Sequence, residues 1–172
     1  MHTIITLKLA QRSVHENRSD ADVLLAEAPG TAERATAEVR ELAHGILPSV
    51  LTRGLRAGVD SIVSRLDLPV ELDVSSERLP PDIEASAYFI VAEALTNVVK
   101  HARATRATVW AAADDGVLTL EVRDDGVGGA NPDGHGLMGI ADRVDALGGR
   151  LRIESTDGDG TVLAARLPLS TR

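Results

Sequence analysis

The chain has 172 residues, a formal net charge of -8 and no cysteine, enough for one good core plus an appendage and without the means for disulfides, thiol catalysis or cysteine-ligated metal. The acidic balance argues against a nucleic-acid surface, which needs a basic face to release counterions from phosphates. No apolar run approaches the ~18 residues of a membrane span, and Lys8 and Arg12 interrupt Ile4 to Ala10 with no cleavage-like site after them, so the expectation is a cytoplasmic chain that makes no membrane contact.

In chain order, Ile4, Leu7, Val14, Ala21, Leu25 and Ala28 fit one narrow helical seam, interrupted by Gln11 and Arg18. Beyond the break at Pro29-Gly30, Ala32, Ala35, Val39, Leu42 and Ile46 recur at alternating steps of three and four. Residues 1–50 therefore read as a helical hairpin. Two helices with one apolar stripe each leave much of it wet, so the hairpin is expected to double into a four-helix bundle with a second copy, a homodimer; packing on its own C-terminal domain is the alternative.

Residues 51–172 read as a second domain. A short helix from about Arg53 to Arg65 leads to Val70-Glu71-Leu72-Asp73-Val74, whose alternation is that of a half-buried strand. Pro80-Pro81-Asp82 opens a long helix ending near His101. Strands over Thr108 to Ala111 and Val117 to Val122 flank Asp114-Asp115-Gly116, a turn that tolerates positive φ. Ile140 to Leu147 is a helix stopped by Gly148-Gly149. Arg150 to Ser155 and Thr161 to Leu167 make a second hairpin across Asp157 to Gly160. The predicted fold is an α+β two-layer sandwich, with helices on one face of a largely antiparallel sheet. Tyr88, Phe89 and Trp110 are its only aromatic residues, so Leu, Val, Ile and Ala must build the core.

Three stretches carry chemistry. On the long helix, Ile83, Ala87, Ile90, Val91, Ala94, Leu95 and Val98 form an apolar arc, with Glu93 and Asn97 together at its edge. Alone, that pair would read as a helix-surface hydrogen bond. Asn97 can offer an amide oxygen to Mg²⁺, and Glu93 can orient or deprotonate a reacting hydroxyl, water or imidazole. Lys100 and His101, within a turn of Asn97, could reach phosphate. Asp124-Asp125-Gly126-Val127-Gly128 ends a strand. Such a sequence is often only a turn, but an acidic residue there can also accept a hydrogen bond from an exocyclic amine while Gly126 and Gly128 let nucleotide approach. Gly134, Gly136 and Gly139 open the next helix, whose N-terminal amides would face a triphosphate; the side chains of Leu137 and Met138 read as core. Gly129 to His135 reads as a short mobile lid over the phosphates, ordered by ligand. Together these point to an ATP site.

Glu93-x-x-x-Asn97, Asp124-x-Gly126-x-Gly128, Gly134-x-Gly136-Leu137-x-Gly139 and Gly158-x-Gly160-Thr161 resemble, in order, the N, G1, G2 and G3 boxes of the ATPase superfamily shared by gyrase, histidine kinases, mismatch-repair ATPases and a heat-shock chaperone. Val98-Val99-Lys100-His101-Ala102 and Arg40 to Pro48 resemble the histidine-kinase subfamily paired with helix-turn-helix response regulators of the nitrate-regulator type. The resemblance implies an ATP- and Mg²⁺-dependent kinase domain that phosphorylates a histidine for relay to a response-regulator aspartate. It places Asn97, Lys100, His101, Asp124, Gly126, Gly128, Gly134, Gly136, Leu137, Gly139, Gly160 and Thr161 around the nucleotide, Asn97 on the metal and Glu93 at the reacting group. The alternative is a nucleotide-dependent protein-binding switch of the anti-sigma-factor kind; a gyrase-like ATPase would need a transducer domain after Leu167. The subfamily's acceptor pattern, His-Asp-x-x-Gln-Gln, does not occur in the sequence, and His15-Glu16 is the only His-acid dipeptide. By the resemblance the chain begins just after the acceptor, so autophosphorylation by this chain alone is not expected.

Overall fold

The computed structural model describes residues 49–131 and 134–170. The chain divides into the units Met1–Leu47 and Pro48–Arg172, and the helical hairpin lies outside the described residues. The second unit begins with a 3-10 turn, Ser49–Arg53, and helix α1, Leu55–Val63. Strand β1, Val70–Val74, leads to the long helix α2, Pro81–Asn97, which runs on as a single π turn over Val98–Ala102. Strands β2, Ala107–Asp114, and β3, Val117–Asp124, precede helix α3, His135–Ala146, and the closing strands are β4, Arg150–Ser155, and β5, Thr161–Pro168. The five strands lie in the order β1-β2-β3-β5-β4, with β1 parallel to β2 and every other pair antiparallel. This is the expected α+β sandwich.

Local chemistry explains the elements. Pro81 takes the first helical position of α2, where its fixed φ suits a helix and its missing N–H is no loss, and Asp82 and Glu84 complement the positive end of the dipole. The β2–β3 turn puts Asp115 and Gly116 at φ 47° and 74°, the double positive φ of a tight hairpin. Sheet periodicity then decides the core. Val109 and Ala111, Leu118, Leu120 and Val122, and Leu163, Ala165 and Leu167 are buried on one face, while Trp110 between them stays 41% exposed. The arc of α2 covers that face: Ile83, Ala87, Ile90, Val91, Ala94, Leu95 and Val98 are all buried, which leaves Glu93 and Asn97 half-buried at its rim.

Two features depart from expectation. Helix α3 starts at His135, five residues before Ile140. Gly136 and Gly139 thus lie inside the helix despite their low propensity, because Leu137 and Ile140 bury their side chains in the core. The second feature has no simple sequence signal. Glu84 is only 2% exposed; its carboxylate accepts Arg78 Nε–H at 2.8 Å, Arg78 Nη2–H at 3.1 Å and Leu79 N–H at 3.0 Å. Burial pushes this carboxyl up, but the Arg78 guanidinium and the Leu79 amide outweigh it and hold the group below its ordinary value. Arg78 Nη1–H also donates to Thr52 O, tying the first turn of the domain to the start of α2.

Candidate functional site

The long helix and the glycine-rich helix meet at one point. A Cβ added to Gly136 would stand 2.7 Å from Glu93 Oε1, 3.2 Å from Asn97 Oδ1 and 3.3 Å from Asn97 Nδ2. The first turn of α3 therefore lies directly on the Glu93–Asn97 edge of α2, in a cradle that any side chain at position 136 would fill. Gly139, two positions beyond Leu137, is exposed, and a Cβ there meets nothing within 4 Å. Leu137 is buried in the core, as its side chain is expected to be, but Met138 is 50% exposed, a correction. Successive helix positions are rotated by about 100°, so with Leu137 on the sheet Met138 must face away.

This contact makes a prediction for stability. In Gly136→Ala the close atom is the end of a flexible carboxylate, which can swing aside, and alanine in a helix interior is worth up to about 1 kcal/mol over glycine. The variant is expected to melt no lower than the parent by calorimetry.

A second cluster surrounds Asp124, at the end of β3 between its register partners Ala107 and Thr161. It is 6% exposed, and its Oδ1 accepts the Gly126 N–H at 2.8 Å. Burial raises this carboxyl above its ordinary value; the N–H groups of Gly126 and Thr161 oppose the rise and the neighbouring Asp125 charge adds to it. Gly126 sits where a Cβ would strike Ala102 O, and Val127 N–H donates to that same oxygen at 2.8 Å. The turn after Asp124 is thus seated on the end of the π turn that carries the exposed Lys100 and His101. Its other side rests on the β4–β5 turn. Gly158 N–H donates to Val127 O at 2.8 Å, and a Cβ on Gly128 or Gly160 would strike the backbone at Thr156 O or Asp124 O. Ser155 Oγ accepts Ala130 N–H at 3.0 Å and lies 2.8 Å from Thr161 Oγ1.

The structure thus joins Glu93 and Asn97 to Gly136, and Asp124 to Gly126, Gly128, Gly160 and Thr161, with Ala102 linking α2 to the second group. Within Gly129 to His135, Gly134 N–H donates to Asn131 O at 3.0 Å, while residues 132–133 lie outside the described residues. Sequence reasoning passed over Asp125 and Ser155. The only signal for Asp125 was the doublet itself. A groove of about 610 Å³ takes in Asp124 and Asp125 with Thr108 and Arg123, but not Glu93, Asn97 or Gly136, so only the Asp124 cluster borders that groove.

Residues 82–171 match the family described as "Histidine kinase-, DNA gyrase B-, and HSP90-like ATPase". The sensor histidine kinase YxjM of Bacillus subtilis is 29% identical over 98% of this chain and 43% of its own length. The nitrate/nitrite sensor protein NarQ of Escherichia coli is 29% identical over 93% of this chain and 30% of its own. The chain thus spans less than half of either relative. Among solved structures, the blue-light activated histidine kinase EL346 of Erythrobacter litoralis superposes with a TM-score of 0.60 at 25% identity, covering 69% of this chain and 41% of that one.

Proposed function

Because the chain belongs to the histidine kinase-, DNA gyrase B- and HSP90-like ATPase family, we propose that residues 51–172 are the ATP-binding catalytic domain of a two-component sensor kinase and residues 1–50 its dimerisation hairpin. The observation that carries this reading is the seating of Gly136 on Glu93 and Asn97. It puts the N-terminal amides of α3 beside a carboxylate and an amide oxygen, the set needed to hold phosphates and handle a proton. The kinase names of the relatives favour phosphotransfer over a protein-binding switch.

In this reading Asp124 accepts the adenine amine. Gly126, Gly128 and Gly160, with Thr161, shape the wall beside it, while Gly134, Gly136 and Gly139 bring backbone close to the phosphates and Lys100 and His101 add charge. Glu93 orients the acceptor imidazole and takes its proton as the nitrogen–phosphorus bond forms and ADP leaves. Among the described residues no three His, Asp or Glu side chains converge to hold a metal. The amide oxygen of Asn97 would therefore be the protein's contribution to Mg²⁺, the rest coming from phosphate and water. Bound Mg²⁺ would neutralise charge on the phosphates. The further partners are a second copy of the chain and a response regulator, in the cytoplasm.

The test is transfer in trans. Incubated with labelled ATP and Mg²⁺, the chain alone is expected to bind nucleotide but gain no acid-labile, base-stable phosphate. Mixed with a longer kinase that has an acceptor histidine and a dead ATP site, it is expected to label that histidine. Leu42→Glu, which puts charge in the apolar seam, is expected to abolish the transfer by preventing a mixed dimer. Stoichiometric label on His15 of the isolated chain contradicts the reading.

A further inference from the structure

Asp125 stands beside Asp124, and its negative charge opposes the ionisation of that neighbour. Two adjacent acids are a poor arrangement for a site that needs one of them ionised, unless the second has work of its own. Its hydrogen bonds supply that work. Asp125 Oδ1 accepts Thr105 N–H at 2.8 Å and Arg106 N–H at 3.0 Å, and Oδ2 accepts Thr105 Oγ1–H at 2.7 Å. The backbone adds a bond from Asp125 N–H to Arg106 O at 3.4 Å. The Arg106 guanidinium lies 3.5 Å from Oδ2 but is 77% exposed, so its ion pair contributes little. These donors hold the carboxyl at about 2, the Thr105 hydroxyl foremost.

Position gives the bonds their meaning. Thr105 and Arg106 follow Arg103, whose φ of 51° closes the π turn after α2, and directly precede Ala107, the register partner of both Val70 and Asp124. Asp125 therefore closes the β2–β3 ladder at the rung that contains Asp124. On the next residue, Gly126 packs against Ala102 at the end of the same π turn. One carboxylate thus fixes both the strand end that aims Asp124 and the connection to the helix that carries Glu93 and Asn97.

We infer that Asp125 is a positioning residue for the nucleotide site, clamping Thr105 and Arg106 so that the Asp124 carboxylate meets the exocyclic amine of adenine. The inference rests on the proposed reading of Asp124. Two roles for Asp125 give opposite signs. If it acted through charge alone, its removal would ease ionisation of Asp124 and strengthen recognition of the amine. As a clamp, its removal weakens that recognition.

The experiment compares affinities for non-hydrolysable triphosphates of adenosine and of inosine, which carries a carbonyl in place of the amine. The parent is expected to prefer adenosine by roughly tenfold or more. Asp125→Ala is expected to bind the adenosine analogue about tenfold more weakly and the inosine analogue nearly as before, bringing the preference within about threefold. Asp125→Asn, which keeps an acceptor for the two backbone N–H groups, is expected to restore most of the preference, and Arg106→Ala to leave it intact. Should Asp125→Ala fail to fold, Thr105→Ala removes one of the three donors, and a narrowed preference supports the clamp. A parent without preference overturns the reading of Asp124 together with the clamp. A preference that persists unchanged in Asp125→Ala, or in Thr105→Ala where only that variant folds, overturns the clamp alone.

Discussion

Asp124→Asn is expected to bind a non-hydrolysable ATP analogue at least tenfold more weakly than the parent, measured by calorimetric titration at neutral pH. In the proposed reading the contact is charge-assisted and buried, and losing one partner of such a bond costs roughly 1.5 to 3 kcal/mol, about ten- to a hundredfold in affinity. Asparagine also brings an NH₂ group into a pocket where Asp124 accepts the N–H groups of Gly126 and Thr161, so two of its orientations oppose donor to donor. Unchanged affinity would move the adenine site elsewhere.

The same carboxylate sets a pH dependence. Burial holds this carboxyl above its ordinary value, so it ionises at a higher pH in the folded chain, and in the proposed reading the ionised form accepts the amine. Affinity is therefore present above the folded value and lost as pH falls through it, beginning at a higher pH than an ordinary aspartate would show. The sign for folding is opposite. A raised value favours the protonated native state, so this group's contribution to stability is full below the unfolded value near 3.9 and is lost as pH rises through the folded one. In Asp124→Asn the early loss of affinity on acidification is expected to disappear.

Glu93→Gln is expected to leave nucleotide affinity within about twofold and to slow phosphoryl transfer to a supplied acceptor helix by roughly a hundredfold or more, the scale of a lost proton acceptor. Glutamine keeps the shape of the side chain beside Gly136 but cannot take the imidazole proton. Asn97→Ala is expected to behave differently, abolishing the part of ATP binding that depends on Mg²⁺ while the metal-independent part persists. Single-turnover transfer and titrations with and without Mg²⁺ separate the two. Parental transfer rates in both variants would remove Glu93 and Asn97 from the chemistry.

Much of this site was legible because its signals are local. The four-residue step from Glu93 to Asn97 puts both on one side of any helix, and the burial of Ile90, Val91, Ala94 and Leu95 fixes which side. Strands β1 to β5 stand close to where alternation and turn residues placed them, since a strand half in water must alternate whatever it pairs with. The glycines of the Asp124 turn were readable as a motif, but not the reasons for them. Gly126 answers to Ala102, and Gly128 and Gly160 to the backbone of Thr156 and Asp124.

By itself, then, the sequence determined the kind of elements, the order of the boxes and the residue types able to bind a nucleotide, because periodicity, turn chemistry and side-chain chemistry are properties of neighbouring residues. Four features came from the packing of distant segments: Gly136 lies on Glu93, Leu137 rather than Met138 faces the sheet, Glu84 is buried against Arg78, and Asp125 reaches back to Thr105. Each of these depends on which distant segments close on one another. Residues 93 and 136 are separated in the chain by the β2–β3 hairpin, and β5, which follows residue 136, pairs with β3. Such long-range closure is set by the summed burial of a whole face, to which no short stretch of residues holds the key.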